Sequence, residues 1–360
     1  MMTHLQRRRR RRSRHRKPPG GSGETFAALD LGTNNCRLLV ATPEARNGFR
    51  VIDAFSRIVR LGEGLARYGV LSDAAMRRTI EALQVCAQKM DRCGVVRARN
   101  VATEACRKAR NCTEFIDKVN DVTGLDIETI SSEEEVRLVL QGCLPLLREE
   151  PNRALVFDIG GGSTEVVWIA LENCRPRILD WVSMPLGVVT LSERYGDDPM
   201  PAAAYAQLID EVDAYLEPFC DCHGIGGAVE KGAVQMLGTS GTVTTLSGVK
   251  LGLPRYNRAA VDGTYLPFDA IEDISQGLRR MECADRAAQP CIGSERADLV
   301  VAGCAVLQAI CARWPVGRLR VADRGIREGI LCELMGVAAS RRAASATQST
   351  PGASSPHGPR

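Results

Sequence analysis

A short pattern occurs twice in this chain and constrains its architecture more than any other feature. Thr25-Phe-Ala-Ala-Leu-Asp30-Leu-Gly32-Thr-Asn-Asn35-Cys-Arg37-Leu-Leu-Val-Ala is echoed by Arg153-Ala-Leu-Val-Phe-Asp158-Ile-Gly160-Gly-Gly-Ser163-Thr-Glu165-Val-Val-Trp-Ile. Each copy is an apolar run ending in Asp, a turn of Gly and small polar residues, and a second apolar run, which predicts strand, tight turn, strand. Glycine lets such a turn approach an anion closely, successive N–H groups can cradle phosphate oxygens, and the Asp can hold a divalent cation against them. One copy alone is no more than a β-hairpin. Two copies with matched apolar flanks predict two facing phosphate loops in a cleft between two similar domains. A third segment, Leu237-Gly238-Thr-Ser240-Gly241-Thr242, reads as another small-residue turn after an apolar run.

The stretches between these motifs alternate in the same way in both halves. Arg50 to Arg60 continues as strand after the first hairpin, and Ser72 is an N-cap for a helix through Met90 with Ile80, Leu83, Val85 and Ala87 at helical spacing. Asn100–Thr103 reads as a strand, Glu104–Arg110 as a helix bearing Arg107, and Asp126–Ile130 as a further strand. Ser131-Ser-Glu-Glu-Glu135 is a capping signature that sets Glu135 in the first turn of a helix over Glu133–Leu144. Pro145 to Pro151 marks a boundary. Beyond the second hairpin come helical stretches over Pro201–Phe219, Asp269–Met281 and Leu299–Ala312, a strand Leu319–Asp323 and a terminal helix after Arg324. An internally duplicated α/β domain is expected, with units at 24–147 and 148–338.

Net charge misleads until the ends are set aside. Residues 1–23 carry nine Arg and Lys and no acid, and 341–360 carry three Arg and no acid, so the remainder is net −8 although the whole is +4. Bulk attraction to polyanions is therefore excluded as the working principle of the folded part, and phosphate binding must come from loops, selected Arg and metal. The segment 1–23 is expected to be a disordered basic arm, either a solvated extension or the one place where nucleic acid or polyphosphate could bind, and 339–360 a disordered tail. No signal-peptide h-region precedes the first strand, and the longest apolar stretch is too short to span a bilayer. Fourteen scattered Cys with apolar neighbours fit reduced thiols and a cytoplasmic location. Cys220-Asp-Cys222-His223 could seed a zinc site, but no second Cys/His pair stands at finger spacing.

Five ordered segments, Asp30-Leu-Gly-Thr-Asn-Asn35, Ile130-Ser-Ser-Glu-Glu-Glu135-Val-Arg-Leu, Asp158-Ile-Gly-Gly-Gly-Ser-Thr-Glu165, Gly238-Thr-Ser-Gly-Thr242 and Asp323-Arg-Gly-Ile-Arg-Glu-Gly329, resemble the signatures of the exopolyphosphatase and guanosine-pentaphosphate phosphatase (Ppx/GppA) family. The resemblance runs from about Thr25 to Met335 and implies a short-form member. It implies two ribonuclease-H-like α/β domains around a central cleft, the superfold of actin, sugar kinases and chaperone ATPases. It further implies Mg²⁺ as cofactor, Glu135 as catalytic base, and Asp158 as the metal-associated acid. Glu165 closes the glycine loop, and Arg107 falls on the family's Arg. Two positions depart from the family pattern: Ser132 stands where Gly is usual, and Cys36 where an aromatic or aliphatic residue stands.

Phosphoanhydride cleavage needs an in-line water, neutralised equatorial oxygens and a stabilised leaving phosphate. Glu135 would position and deprotonate the water, its pKa held low by the helix start. Asp158 and Asp30 would hold Mg²⁺ from opposite domains; each alone is equally a turn former. Thr33, Asn35, Gly160, Gly161, Ser163, Gly238, Ser240, Gly241 and Thr242 would bind phosphates, with Arg37, Arg107 and Arg327 adding charge. For a lone Arg an ordinary ion pair is the competing reading, and Glu165 is equally an acid that orders an Arg or a water. Release of terminal phosphate from inorganic polyphosphate is the leading expectation and the 5′ γ-phosphate of guanosine pentaphosphate the alternative. An ATP-dependent kinase and a non-enzymatic polyanion binder are the remaining classes. A homodimer with no membrane association is expected.

Overall fold

The computed structural model describes residues 23–44, 48–172, 175–196 and 198–336. The basic arm, apart from Gly23, and the tail lie outside the described residues. Two sheets with the same strand plan dominate the rest. In the first, β1 (Phe26–Leu31), β2 (Asn35–Glu44) and β3 (Gly48–Ile58) form an antiparallel meander, while β4 (Arg97–Ala102) and β5 (Glu128–Thr129) extend it in parallel, in the order β3-β2-β1-β4-β5. In the second, β6 (Arg153–Ile159), β7 (Thr164–Glu172) and β8 (Arg175–Met184) repeat the meander and β9 (Val234–Thr239) lies parallel to β6. There β10 (Tyr265–Pro267) and β11 (Arg318–Ala322) complete the order β10-β11-β9-β6-β7-β8. This is the doubled ribonuclease-H-like α/β plan.

Both faces of each sheet are covered, which is why β1, β2, β6 and β7 are almost continuously apolar. Strand alternation then sorts their side chains into two cores. Ala27, Leu29, Leu38 and Val40 pack outward with the helix Asp73–Arg92, and Leu155, Phe157 and Val166 pack outward with the helices Ala202–His223 and Val300–Arg313. Phe26, Ala28, Leu39 and Ala41 of one sheet, and Ala154, Val156, Val167 and Ile169 of the other, face a shared inner core. That core is filled by the helices Ser132–Cys143 and Ile326–Leu334. These two helices cross at backbone contact: a Cβ on Gly329 would stand 2.1 Å from Leu138 O, and one on Gly142 2.2 Å from Gly325 O. The terminal helix is thus built against the first sheet although the chain reaches it through the second.

Period-two alternation also decides where the charged residues of the repeated motif emerge. Asp30 continues the inner-face series Phe26, Ala28, and Asp158 continues Ala154, Val156. Arg37 precedes Leu39 and Ala41 on that face, and Glu165 precedes Val167 and Ile169. The two hairpins are in the same register, with Asp30 opposite Arg37 and Asp158 opposite Glu165. All four charges therefore stand at one end of the layer between the sheets.

The sequence reading differs from the structure at a few elements. The strand expected over Asp126–Ile130 pairs only at Glu128–Thr129, with Ile127 and Ile130 buried on opposite faces of the sheet. The helix expected over Glu133–Leu144 runs Ser132–Cys143, with Ser131 as N-cap accepting from the Glu134 amide at 3.1 Å. Gly238 is not in a turn. It lies inside β9 between Phe157 and Val321, and a Cβ there would come 2.5 Å from the Phe157 ring, so this glycine serves strand-to-side-chain packing.

Candidate active site between the two sheets

The two repeated loops fold alike. Gly32 N donates to Asn35 O and Gly160 N to Ser163 O, each at 2.9 Å, closing matched turns. They also press on one another: a Cβ on Gly161 would lie 3.1 Å from Asn34 N, and one on Gly162 2.5 Å from Thr33 Oγ1. Only glycine backbone fits between the halves here. Thr33 Oγ1 and Asn34 Oδ1 are buried at this seam without a protein partner, a state that polar atoms rarely tolerate unless water, ion or ligand completes them.

A solvent-open cavity of ≈ 490 Å³ adjoins the seam. Of the residues expected to bind phosphate it gathers Asn35, Arg37, Gly160, Gly161, Ser240, Gly241 and Thr242. The start of the helix Ser240–Lys250 forms one wall, and its N-cap residue Thr239 makes no side-chain cap hydrogen bond. A helix start without a side-chain cap, beside the cavity, favours anions there. Ser240 has φ 82, a left-handed conformation that costs a non-glycine residue free energy and recurs at functional sites. Asn34, Thr245 and Arg296 also line the cavity. The sequence reading missed them: Asn34 sits inside the turn with nothing to set it apart, and Arg296, whose Nη1 donates to Thr245 Oγ1 at 2.9 Å, arrives from a separate loop.

Other expected phosphate ligands stand elsewhere. Thr33 is under the seam, Ser163 is buried and directs its hydroxyl at Glu165, and Gly238 is in β9. Arg107 is engaged by protein: it donates through Nη1 to Glu135 Oε2 at 2.7 Å and to Ile130 O at 3.0 Å, and through Nε and Nη2 to Glu104 Oε2 at 3.1 and 2.9 Å. Four of its five N–H groups are thereby used, which fits a clamp on Glu135 better than a free phosphate fork. Arg327 is tucked among Asp30, Glu328, Arg37 and Arg258, and burial pulls its pKa down.

The acids form a connected electrostatic group. Burial pushes Glu135 well above the usual carboxylate range, and the negative charges of Glu165 and Asp158 add to this while Arg107 opposes it. This corrects the expectation that the helix start holds Glu135 low: at 8% exposure, desolvation outweighs the helix end. Glu165 is pushed up to about 7, chiefly by burial and then by Asp158, although Ser163 and Ser183 donate to it. The Ser183 hydroxyl lies 2.9 Å from Glu165 Oε1. Asp158 is pushed up to about 6 by burial and by Asp30, opposed by Arg37 and the Ser240 hydroxyl. Burial also raises Asp30, which Arg37 and Arg327 counter.

Asp30 and Asp158 thus repel one another from opposite sheets, and a cation between them would relieve that repulsion. Mg²⁺ takes one or two carboxylates and fills its octahedron with phosphate oxygens and water, so this donor set fits it. Among the described residues no group of three or more His, Cys, Asp or Glu is arranged to enclose a metal. His223, from the segment considered for zinc, hydrogen-bonds Asp180 at 2.7 Å instead.

A second cavity, of ≈ 930 Å³, shares Asn34 and Leu299 with the first. Glu63, Glu193, Asp198 and Asp298 line it, with Arg60 and Arg286 already paired to Asp298 at 2.9 Å and Asp198 at 2.7 Å. Arg60 to Asp298, and the Gly64 amide to Glu193 at 2.8 Å, bridge the two halves at its rim.

Two like α/β units thus place paired glycine loops and a clamped glutamate between them. A model of the Ppx/GppA phosphatase family matches residues 39–338. The chain belongs to the Ppx/GppA phosphatase family. It is 30% identical over 312 residues to the guanosine-5′-triphosphate,3′-diphosphate pyrophosphatase of Aeromonas salmonicida, covering 86% of this chain and 59% of that protein. The chain thus spans 59% of the length of that curated relative. Among solved structures it superposes on the Aquifex aeolicus PPX-GPPA enzyme with TM-score 0.70, at 27% identity, covering 86% of this chain and 99% of the other. An exopolyphosphatase-like protein gives TM-score 0.78 at 28% identity, with 87% and 99% covered. No helix among the described residues is long and apolar enough to cross a membrane.

Proposed function

We propose that this protein hydrolyses the terminal phosphoanhydride of guanosine-5′-triphosphate,3′-diphosphate, releasing orthophosphate from the 5′ end. The observation that carries the reading is the pairing of a cavity walled by both glycine loops and a helix start with a neighbouring cavity lined by four acids and two arginines. A short phosphate chain suits the first. In the second, the carboxylates of Glu63, Glu193, Asp198 and Asp298, partly offset by Arg60 and Arg286, are acceptors for the N–H donors of a guanine edge. The Aeromonas salmonicida relative, whose name describes this substrate, supports the same choice. It reverses the order in which the sequence alone ranks the two substrates. Inorganic polyphosphate is the second reading, favoured by the likeness in length and fold to the exopolyphosphatase-like structure.

The amides and hydroxyls of Gly160, Gly161, Ser240, Gly241 and Thr242 hold the phosphates, and Arg37 and Arg296 draw off their charge. Glu135, fixed by Arg107, orients water in line with the terminal phosphorus and takes its proton as the bridging P–O bond breaks. A raised pKa makes Glu135 a stronger base than an exposed carboxylate. Mg²⁺ held by Asp158 and Asp30 would neutralise non-bridging oxygens when bound. Glu165 sets the field around Glu135, itself held by Ser163 and Ser183.

The test is phosphate release from guanosine pentaphosphate, short and long polyphosphate and ATP, compared side by side with Mg²⁺. The highest kcat/KM is expected for guanosine pentaphosphate. A higher value for long polyphosphate would transfer the assignment to the second reading.

A further inference from the structure

We propose that Glu104 is a positioning residue that couples seating of the Gly160–Ser163 loop to the orientation of the base, an inference that rests on the phosphoanhydride reading above. Three observations converge on it. Glu104 holds the far side of the Arg107 guanidinium through Nε at 3.1 Å and Nη2 at 2.9 Å, while the near side holds Glu135 at 2.7 Å. The three residues are little exposed, with side chains at 12%, 16% and 10%. The Glu104 side chain also touches the opposite half: a Cβ on Gly162 would come 3.0 Å from Glu104 Cγ.

The short helix Glu104–Lys108 begins where β4 ends, and Thr103 N donates to Leu31 O at 3.2 Å, so its base is fixed to the strand that carries Asp30. Against that fixed base, the Glu104 side chain meets the second glycine loop on one side and Arg107 on the other. When the loop is seated, Glu104 has one place to stand, and the guanidinium fork it grips fixes the Glu135 carboxylate. When the loop withdraws, Glu104 gains room and the clamp on Glu135 loosens. The base is thereby aligned only when both halves are closed on the phosphate. Misplacement of reacting groups by about 1 Å is worth up to about 10²-fold in rate, so the coupling is large enough to measure.

The experiment compares kcat and KM for Glu104→Gln, Glu104→Asp, Gly162→Ala and the Glu104→Gln/Gly162→Ala double variant, with guanosine pentaphosphate and polyphosphate as substrates. Glu104→Gln keeps the shape and loses the charge. Its kcat is expected to fall about 10- to 100-fold with KM changed less than about twofold. Glu104→Asp keeps the charge but draws back from the loop, and should fall between Glu104→Gln and wild type. The double variant should lose no more than the worse single variant, since both act through Arg107. A purely structural role would lower thermal stability and leave kcat of the folded protein intact. Wild-type kcat in Glu104→Gln, or losses that multiply in the double variant, would overturn the proposal. If Gly162→Ala does not fold, a Glu104→Gln/Arg107→Lys cycle gives the same decision, with non-additive losses expected and additive ones contradicting it. Absence of turnover by the wild-type protein on both substrates overturns the underlying reading instead.

Discussion

Asp158 shows at a single residue what burying facing acids costs in stability. Its carboxyl is pushed from 3.8 up to about 6 in the folded chain, first by burial and then by the facing Asp30. A carboxyl with a higher pKa folded than unfolded favours folding only while protonated. Its contribution is complete below about 4 and is lost as pH rises through about 6. Without metal, the protein should therefore melt at a lower temperature at pH 7 than at pH 5, and Asp158→Asn should flatten that difference while raising the melting temperature at pH 7. The same variant should lose activity and Mg²⁺ dependence together, because the amide keeps the turn but not the charge. Thermal melts of both proteins at the two pH values, with a Mg²⁺ titration of activity, check this; an unchanged pH difference would show that Asp158 is not strained by its neighbours. Glu135 and Glu165 shift in the same direction, so kcat/KM should fall in acid, and the fall should begin at a higher pH than for an ordinary carboxylate base.

At the scale of elements, Gly238 is the clearest test of packing against ligand binding. Its place inside β9 beneath the Phe157 ring predicts that Gly238→Ala overpacks the second sheet and lowers stability by about 1–3 kcal/mol. KM should stay unchanged in the protein that folds. Denaturant unfolding and steady-state kinetics separate the two effects, and a KM defect without lost stability would return Gly238 to the phosphate site. This residue also shows what a sequence can convey. The two hairpins were legible because apolar runs, Asp and Gly fall in matched order, and the helix bearing Glu135 was legible from Ser131 and the acids after it. Gly238 was misread because a glycine ending an apolar run looks the same whether it makes a turn or admits an aromatic ring. Asn34, Arg296 and Glu104 gave no local signal, since each meets a decisive neighbour far along the chain, Gly161, Thr245 and Gly162, although Glu104 also grips Arg107 one helix turn away. The pKa of Glu135 was misjudged for the same reason, as the burial that raises it comes from the tertiary fold.

At the scale of the whole molecule, duplication does more than repeat a fold. Equivalent hairpins place Asp30 opposite Arg37 in one sheet and Asp158 opposite Glu165 in the other, so a symmetric plan delivers an asymmetric set of charges to one cleft. The central helices Ser132–Cys143 and Ile326–Leu334 tie the sheets through one inner core, while Arg60–Asp298 at 2.9 Å and the loop seam close the open side. Glu135 thus comes from the inner layer, Arg107 from the short helix after β4, and the Gly160–Ser163 loop from the second sheet. The proposed hydrolysis requires Glu135 to act as the base within that assembly. The measurement that tests it most directly is phosphate release from guanosine pentaphosphate by wild type and Glu135→Gln, with substrate binding measured on both. Loss of a general base predicts a rate lower by about 10²–10⁴-fold with binding retained or tighter, since a negative charge near the polyanion is removed. Near-normal turnover by Glu135→Gln would contradict it.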